Sequence, residues 1–359
     1  MEQFQTVFAM LDLMKHPAFC VQNQIIVKTN PAAAPFLIEA GSNVGAILHT
    51  GTEEYAAFTD GCLYLTLMLS GHVLGASVIR MDGVDIFTIE DEQADPQLQA
   101  LALAARELRE PLSNVMVVAD QLFPMLDTDD DKAQNYISRI NRGLFQMLRI
   151  LGNMSDADRY LADTGARQET RDICAVLDEV FSRGAALAAH TDVTLRYTGY
   201  PESVYMLADA PKLERMVLNI LSNALKFTPA GGTITAKLIR RGTRMYLSVC
   251  DSGSGIAENQ RGNIFSRYTR EVALEDSRNG LGLGMVLIRS TAAAHGGTVL
   301  IDHPAGSGTR ITISLAIRQN DTSVRSPRIQ IDYAGERDHG LIELSDVLPA
   351  HLYHRDQIN

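Results

Sequence analysis

The sequence has no excess of basic residues and no paired cysteines, and each absence removes a class of function. Net charge is −11, from 32 Lys and Arg against 43 Asp and Glu. The chain therefore carries no electrostatic footprint for nucleic acid. Cys20, Cys62, Cys174 and Cys250 lie far apart, with no CxxC pair and no metal-ligand spacing. They read as reduced thiols of a cytosolic protein, not as a disulfide framework. No secretory leader is expected, because Glu2, Asp12 and Lys15 interrupt the apolar residues near the N-terminus. One run, 61–79, lacks charged residues over about the length of a membrane span. Ser70-Gly71-His72 in its middle is turn chemistry, which favours a buried β-hairpin over a spanning helix.

What is present suits a soluble multidomain α+β protein: 359 residues, 46% hydrophobic, enough for two or three domains. Residues 1–96 have the pattern of a small α+β unit. A short strand pair is expected over 17–27 and a helical stretch over 31–38. Three β-rich runs follow, Cys62–Leu69, Val73–Met81 and Val84–Ile89, parted by Ser70-Gly71 and Asp82-Gly83. Asp-Gly between strands is a strong hairpin signal. Residues 97–163 switch to helical period. Leu98, Leu101, Ala105, Leu108, Leu112, Val115, Ala119 and Leu122 alternate spacings of three and four, the stripe of a helix that packs on helices. Asp127 to Asp131 ends that helix and offers caps to a second, with Ile137, Ile140, Leu144, Leu148 and Leu151 on its stripe. The pair forms an antiparallel hairpin, and two hairpins form a four-helix bundle on dimerisation. Residues 172–318 alternate helices and strands as an α/β sandwich does. Residues 319–359 read as a polar, flexible tail with one apolar docking patch at 341–348.

Four segments of the third region carry the chemistry. Asn219, Asn223 and Lys226 recur at i, i+4 and i+7 on one helical face. An amide oxygen is a hard ligand for Mg²⁺, and an ammonium is a countercharge for phosphate. Asp251-Ser252-Gly253-Ser254-Gly255-Ile256 follows a strand, placing a carboxylate and permissive backbone beside a flat base. Phe265, Arg267 and Arg270 open a long polar stretch of lid character. Gly280-Leu281-Gly282-Leu283-Gly284 leads into a helix, so free N–H groups aim at phosphate.

In this order, the four segments resemble the N, G1, F and G2 boxes of the histidine kinase ATPase (Bergerat) domain, of the superfamily shared with gyrase, Hsp90 and MutL-type proteins. The resemblance implies that ATP and Mg²⁺ bind here. Asn223 would hold Mg²⁺, Lys226 would contact phosphate, Asp251 would read adenine, and Gly282 and Gly284 would cradle the triphosphate. Where the gyrase and MutL branch has a water-activating glutamate, this chain has Asn219, which is no general base; brisk hydrolysis is not expected. The first 96 residues resemble a PAS sensor domain in layout.

The hairpin resembles the dimerisation and phosphotransfer domain of sensor histidine kinases, with a break. The family motif reads His-Glu-Leu-Arg-Thr-Pro-Leu, whereas this chain reads Arg106-Glu107-Leu108-Arg109-Glu110-Pro111-Leu112. Arg106 replaces the phosphoacceptor, and a protonated guanidinium is no nucleophile. Glu107 then has no proton to take, and no histidine lies anywhere in 73–189. The resemblance thus implies a cytoplasmic ATP-responsive sensor or scaffold, homodimeric through 97–163, with a response regulator or partner kinase. Two alternatives are a kinase acting in trans on a partner's His or Ser, and a non-enzymatic dimeric module.

Overall fold

The computed structural model describes residues 2–90, 96–123, 131–162, 168–256, 264–265, 283–304, 308–319 and 337–354. Chain order gives helix α1 (Glu2–Leu13), strands β1 (Ala18–Gln22) and β2 (Ile25–Thr29), helix α2 (Thr52–Ala56), then β3 (Cys62–Leu69), β4 (His72–Met81) and β5 (Val84–Glu90). The uncharged run 61–79 is therefore the β3–β4 hairpin. Among the described residues no helix is long and apolar enough to cross a membrane. Asp82 and Gly83 both adopt positive φ, at 50° and 78°. Two residues at positive φ form the kind of turn whose twist matches the right-handed twist of the strands it joins. Helices α1 and α2 lie where no helix is expected from the residue pattern.

Two long helices follow, α3 (Pro96–Leu122) and α4 (Asp131–Ala162). They pack through Ala105, Leu112, Met116, Ala119 and Phe123 against Ile137, Leu144, Phe145, Leu148 and Leu151, all buried in one cluster. Only part of the expected stripe is used this way. Leu108, Val115 and Leu122 are about half exposed on α3, as is Ile140 on α4.

The remaining chain forms β6 (Glu169–Asp172), α5 (Ile173–Ala188), β7 (Thr194–Thr198), β8 (Tyr205–Ala208), α6 (Ala210–Phe227), β9 (Thr233–Arg241), β10 (Arg244–Asp251), α7 (Leu283–Ala294), β11 (Val299–Asp302), β12 (Arg310–Ala316) and α8 (His339–Glu343). β6 and β8 make a small separate ladder; every other strand joins one ten-stranded sheet in the order β2-β1-β5-β4-β3-β11-β12-β10-β9-β7. The join between the N-terminal five strands and the rest is antiparallel, with Leu63 opposite Leu300 and Tyr64 opposite Val299.

Alternation along β3 tells which layer covers which face. Leu63, Leu65 and Leu67 share a core with Tyr55 and Phe58, whereas Cys62 and Tyr64 belong to the core under α5, α6 and α7. The two halves of the sheet thus carry these helical layers on opposite faces.

The tail departs from expectation. Residues 337–354 are folded, with α8 and a 3₁₀ turn at Ala350–Tyr353. Leu341, Ile342, Leu344, Leu348, Leu352 and Tyr353 are buried in the main core. Their apolar surface is covered by α4, α5 and α6, which outweighs the polar composition around it.

Candidate functional site

Helix α6 organises the site. Asp209 caps it by accepting from the Lys212 amide, and Pro211 sits in its first turn, where its missing N–H costs nothing. Asp209 is itself fixed by His295, whose Nε2 accepts from the Asp209 amide at 3.0 Å. The other ring nitrogen lies 2.7 Å from the Thr291 carbonyl. Accepting at Nε2 and donating at Nδ1 define a neutral imidazole. Burial drives its pKa below the ordinary histidine value.

Asn219 and the start of α7 touch. A Cβ built on Gly284 would lie 2.8 Å from Asn219 Oδ1, so the glycine admits the amide between the two helices. At the other end of α6, a Cβ on Gly253 would lie 2.4 Å from the Phe227 carbonyl oxygen. Asp251 closes this corner: its Oδ1 accepts from the Gly253 amide at 2.8 Å and the Thr309 amide at 3.2 Å. Burial raises the Asp251 pKa above the usual carboxylate value, against the lowering effect of those two amides. Gly255 has φ of +74° and lies with half-buried Ile256 at the end of this loop.

The structure thus brings Asn219, Asp251, Gly253, Leu283 and Gly284 around one helix. Asn223 and Lys226 are half-buried on α6, with Lys226 Nζ 5.2 Å from the Phe227 ring centroid. Arg267, Arg270, Gly280, Leu281 and Gly282 fall outside the described residues. Arg106 and Glu107 are exposed on α3. A surface recess of about 330 Å³ lined by Lys237, Tyr246, Ser248, Asp302 and Arg310 lies on the other face of the sheet.

Sequence reasoning missed the polar cluster beside Asn219. Glu343 of α8 is fully buried and accepts from Arg215 Nε at 2.9 Å and from Asn219 Nδ2 at 3.4 Å. Arg215 also donates to Asn153 of α4 at 2.7 Å. The available signal was Glu343, one of two carboxylates with Asp346 inside the apolar run 341–348, since buried charges require partners.

Residues 208–319 match the family model for histidine kinase-, DNA gyrase B- and HSP90-like ATPases. The chain is 29% identical over 221 residues to the histidine protein kinase DivJ of Caulobacter vibrioides, covering 60% of this chain and 37% of that protein. It is 24% identical over 234 residues to the sensor-like histidine kinase SenX3 of Mycolicibacterium smegmatis, covering 63% and 60%. Full-length ShkA, solved in complex with AMPPNP, shares the fold at a TM-score of 0.50 and 23% identity, over 63% of this chain and 47% of that one. The matched stretch spans about a quarter to three fifths of the curated relatives. The C-terminal α/β unit is an ATPase domain of this superfamily, which implies ATP binding.

More narrowly, over the matched stretch the chain is similar to sensor histidine kinases.

Proposed function

We propose that this chain binds Mg²⁺–ATP between α6, the 251–256 loop and the start of α7, and signals with it instead of phosphorylating its own hairpin. One observation carries the reading: exposed Arg106 stands on α3 at the family's acceptor position. A guanidinium offers no lone pair to phosphorus.

The residues present fit the nucleotide. Gly253 and Gly284 allow close approaches to α6 that any side chain would block, and Asp251 keeps Oδ2 clear of the two amides that hold Oδ1. Asn223 would hold the metal, Lys226 would meet a phosphate, and Asp251 would accept from the exocyclic amine of adenine. Mg²⁺ supplies countercharge to the phosphate oxygens when bound. Asn219 provides no base for water, so ATP is a bound signal with slow turnover.

The half-exposed apolar residues Leu108, Val115 and Leu122 on α3, with Ile140, Met147 and Ile150 on α4, support a homodimeric four-helix bundle over 97–163. The strand order β2-β1-β5-β4-β3 supports a PAS-like sensor over 1–96. The 172–318 ATPase domain would respond to it, and a response regulator or partner kinase in the cytoplasm would read the result.

Labelled ATP tests this directly. The expected outcome is no label on the wild-type chain and label on Arg106→His; label on the wild type would overturn it. Asn223→Ala should weaken Mg²⁺–ATP binding by about 10–100-fold. Absence of wild-type binding at millimolar ATP ends the nucleotide reading, whereas Lys226-dependent label on another protein favours a kinase acting in trans.

A further inference from the structure

The docked C-terminal segment meets α6 on the face that also bears Asn219. Arg215, Asn219 and Ser222 recur at i, i+4 and i+7, and all three are buried. Over them lie α4 and α8. Arg149 of α4 donates to Ser222 Oγ at 2.9 Å, pairs with Asp346 and lies 3.6 Å from Glu343 Oε2. Further along α4, Arg142 donates at 2.9 Å to the carbonyls of both Ser345 and Asp346. Asn141 donates to the Tyr353 carbonyl at 3.0 Å. From the far side, Arg183 of α5 pairs with Asp338 at 3.1 Å.

We propose that residues 337–354 form a latch in which the Glu343 carboxylate holds the place of a phosphate at Asn219, so that nucleoside triphosphate and docked segment exclude each other. The inference rests on the nucleotide reading above and adds regulation to that site. Its physical basis is charge and donor count. The Asn219 amide nitrogen serves the Arg215 carbonyl at 2.9 Å and Glu343 Oε2 at 3.4 Å, so its donors are committed. A triphosphate arriving at Asn219 would bring like charge against a buried carboxylate, a costly juxtaposition in a poorly screened interior.

The outer anchors of the segment can exchange. The Arg142 bonds to the Ser345 and Asp346 carbonyls and the Arg149–Asp346 pair are partly exposed, so water can replace them. Buried Arg215, by contrast, needs another anion against it when Glu343 leaves. Linkage makes the antagonism reciprocal: whatever factor the latch costs nucleotide affinity, nucleotide costs latch closure. Release would bare Leu341, Leu344, Leu348 and Leu352 together, a new apolar surface, and remove the Asn141 and Arg142 bonds that tie α4 to the segment.

The test uses the full chain with Mg²⁺–ATP and with adenosine. Glu343→Gln keeps size and removes charge; it should tighten Mg²⁺–ATP binding by about tenfold and leave adenosine binding unchanged. Arg142→Ala loosens the segment from α4 without touching Asn219, and should shift affinity the same way by a smaller factor. In the wild type, Mg²⁺–ATP should speed amide hydrogen exchange across 338–354, and adenosine should not. Equal Mg²⁺–ATP affinity in all three proteins, with exchange unchanged by ATP, overturns the latch alone. Failure of every form to bind nucleotide removes the latch together with the nucleotide site.

Discussion

The ATP-binding domain is held at two joints of opposite character. At the sheet joint, β11 pairs with β3 of the N-terminal unit, and backbone hydrogen bonds set the geometry. Gly61 at its edge has φ of +96°, and a Cβ there would lie 2.2 Å from the Ile301 oxygen, so the two backbones are in direct contact. Arg289 of α7 is fully buried 3.2 Å from Glu90 of β5, with its guanidinium 5.4 Å from the Tyr64 ring centroid. Phe265 packs on the other side of Tyr64 at 5.5 Å. On the opposite sheet face Glu54 pairs with Arg244 at 2.7 Å. At the helical joint, side chains of α4 reach carbonyls and carboxylates of 338–354. A joint of paired strands around a buried ion pair resists partial opening, because a buried charge without its partner is heavily penalised. At the helical joint the Glu343–Arg215 pair is buried as well, but the part-exposed Arg142 bonds can open one at a time. The N-terminal unit is thus coupled to the sheet and to α7 by strand pairing and a buried ion pair, while the hairpin meets the domain both directly at α7 and through residues 337–354.

Breaking the sheet joint should have the largest effect. Arg289→Ala leaves Glu90 buried without its cation and should cost about 3–5 kcal/mol in denaturant unfolding. A double change to apolar residues, Arg289→Met with Glu90→Leu, should recover most of that loss. Leu344→Ala tests the helical joint. Leu344 is fully buried, so the change should cost about 2–3 kcal/mol; no effect would mean that the segment does not dock. A smaller effect comes from pH. Burial lowers the His295 pKa in the folded state, so the unfolded chain binds the proton more readily. The stabilisation is complete above the unfolded value near about 6.5 and is lost as pH falls below it. His295→Phe should flatten this acid dependence in thermal melts. The smallest change is expected for Gly242→Ala, at a turn with φ of +54° and open space around it, which should cost about 1 kcal/mol or less.

Local signals carried far. Asp82-Gly83 wrote its own hairpin, because both residues tolerate positive φ. The Asn219–Lys226 helix and the glycine turn after Asp251 were legible as local structure, whereas Gly280 to Gly282 lie outside the described residues. The stripe on α3 was legible as apolar but not as divided: periodicity cannot separate Ala105 and Leu112, which meet α4, from Leu108 and Val115, which remain exposed. The patch 341–348 was legible as a docking segment, but folding over the whole of 337–354 was not, because composition averages over the tail whereas docking depends on where six apolar side chains point.

The sequence by itself determined the main strands, the two long helices and the helix that carries Asn219 to Lys226, since these rest on backbone preference, side-chain period and residue chemistry. Tertiary structure alone decided that β3 joins β11, that Arg289 meets Glu90, and that Glu343 lies against Asn219. Those contacts join residues from 124 to 239 positions apart in the chain. Their partners are chosen by packing and charge compensation in the folded core, which no local pattern encodes.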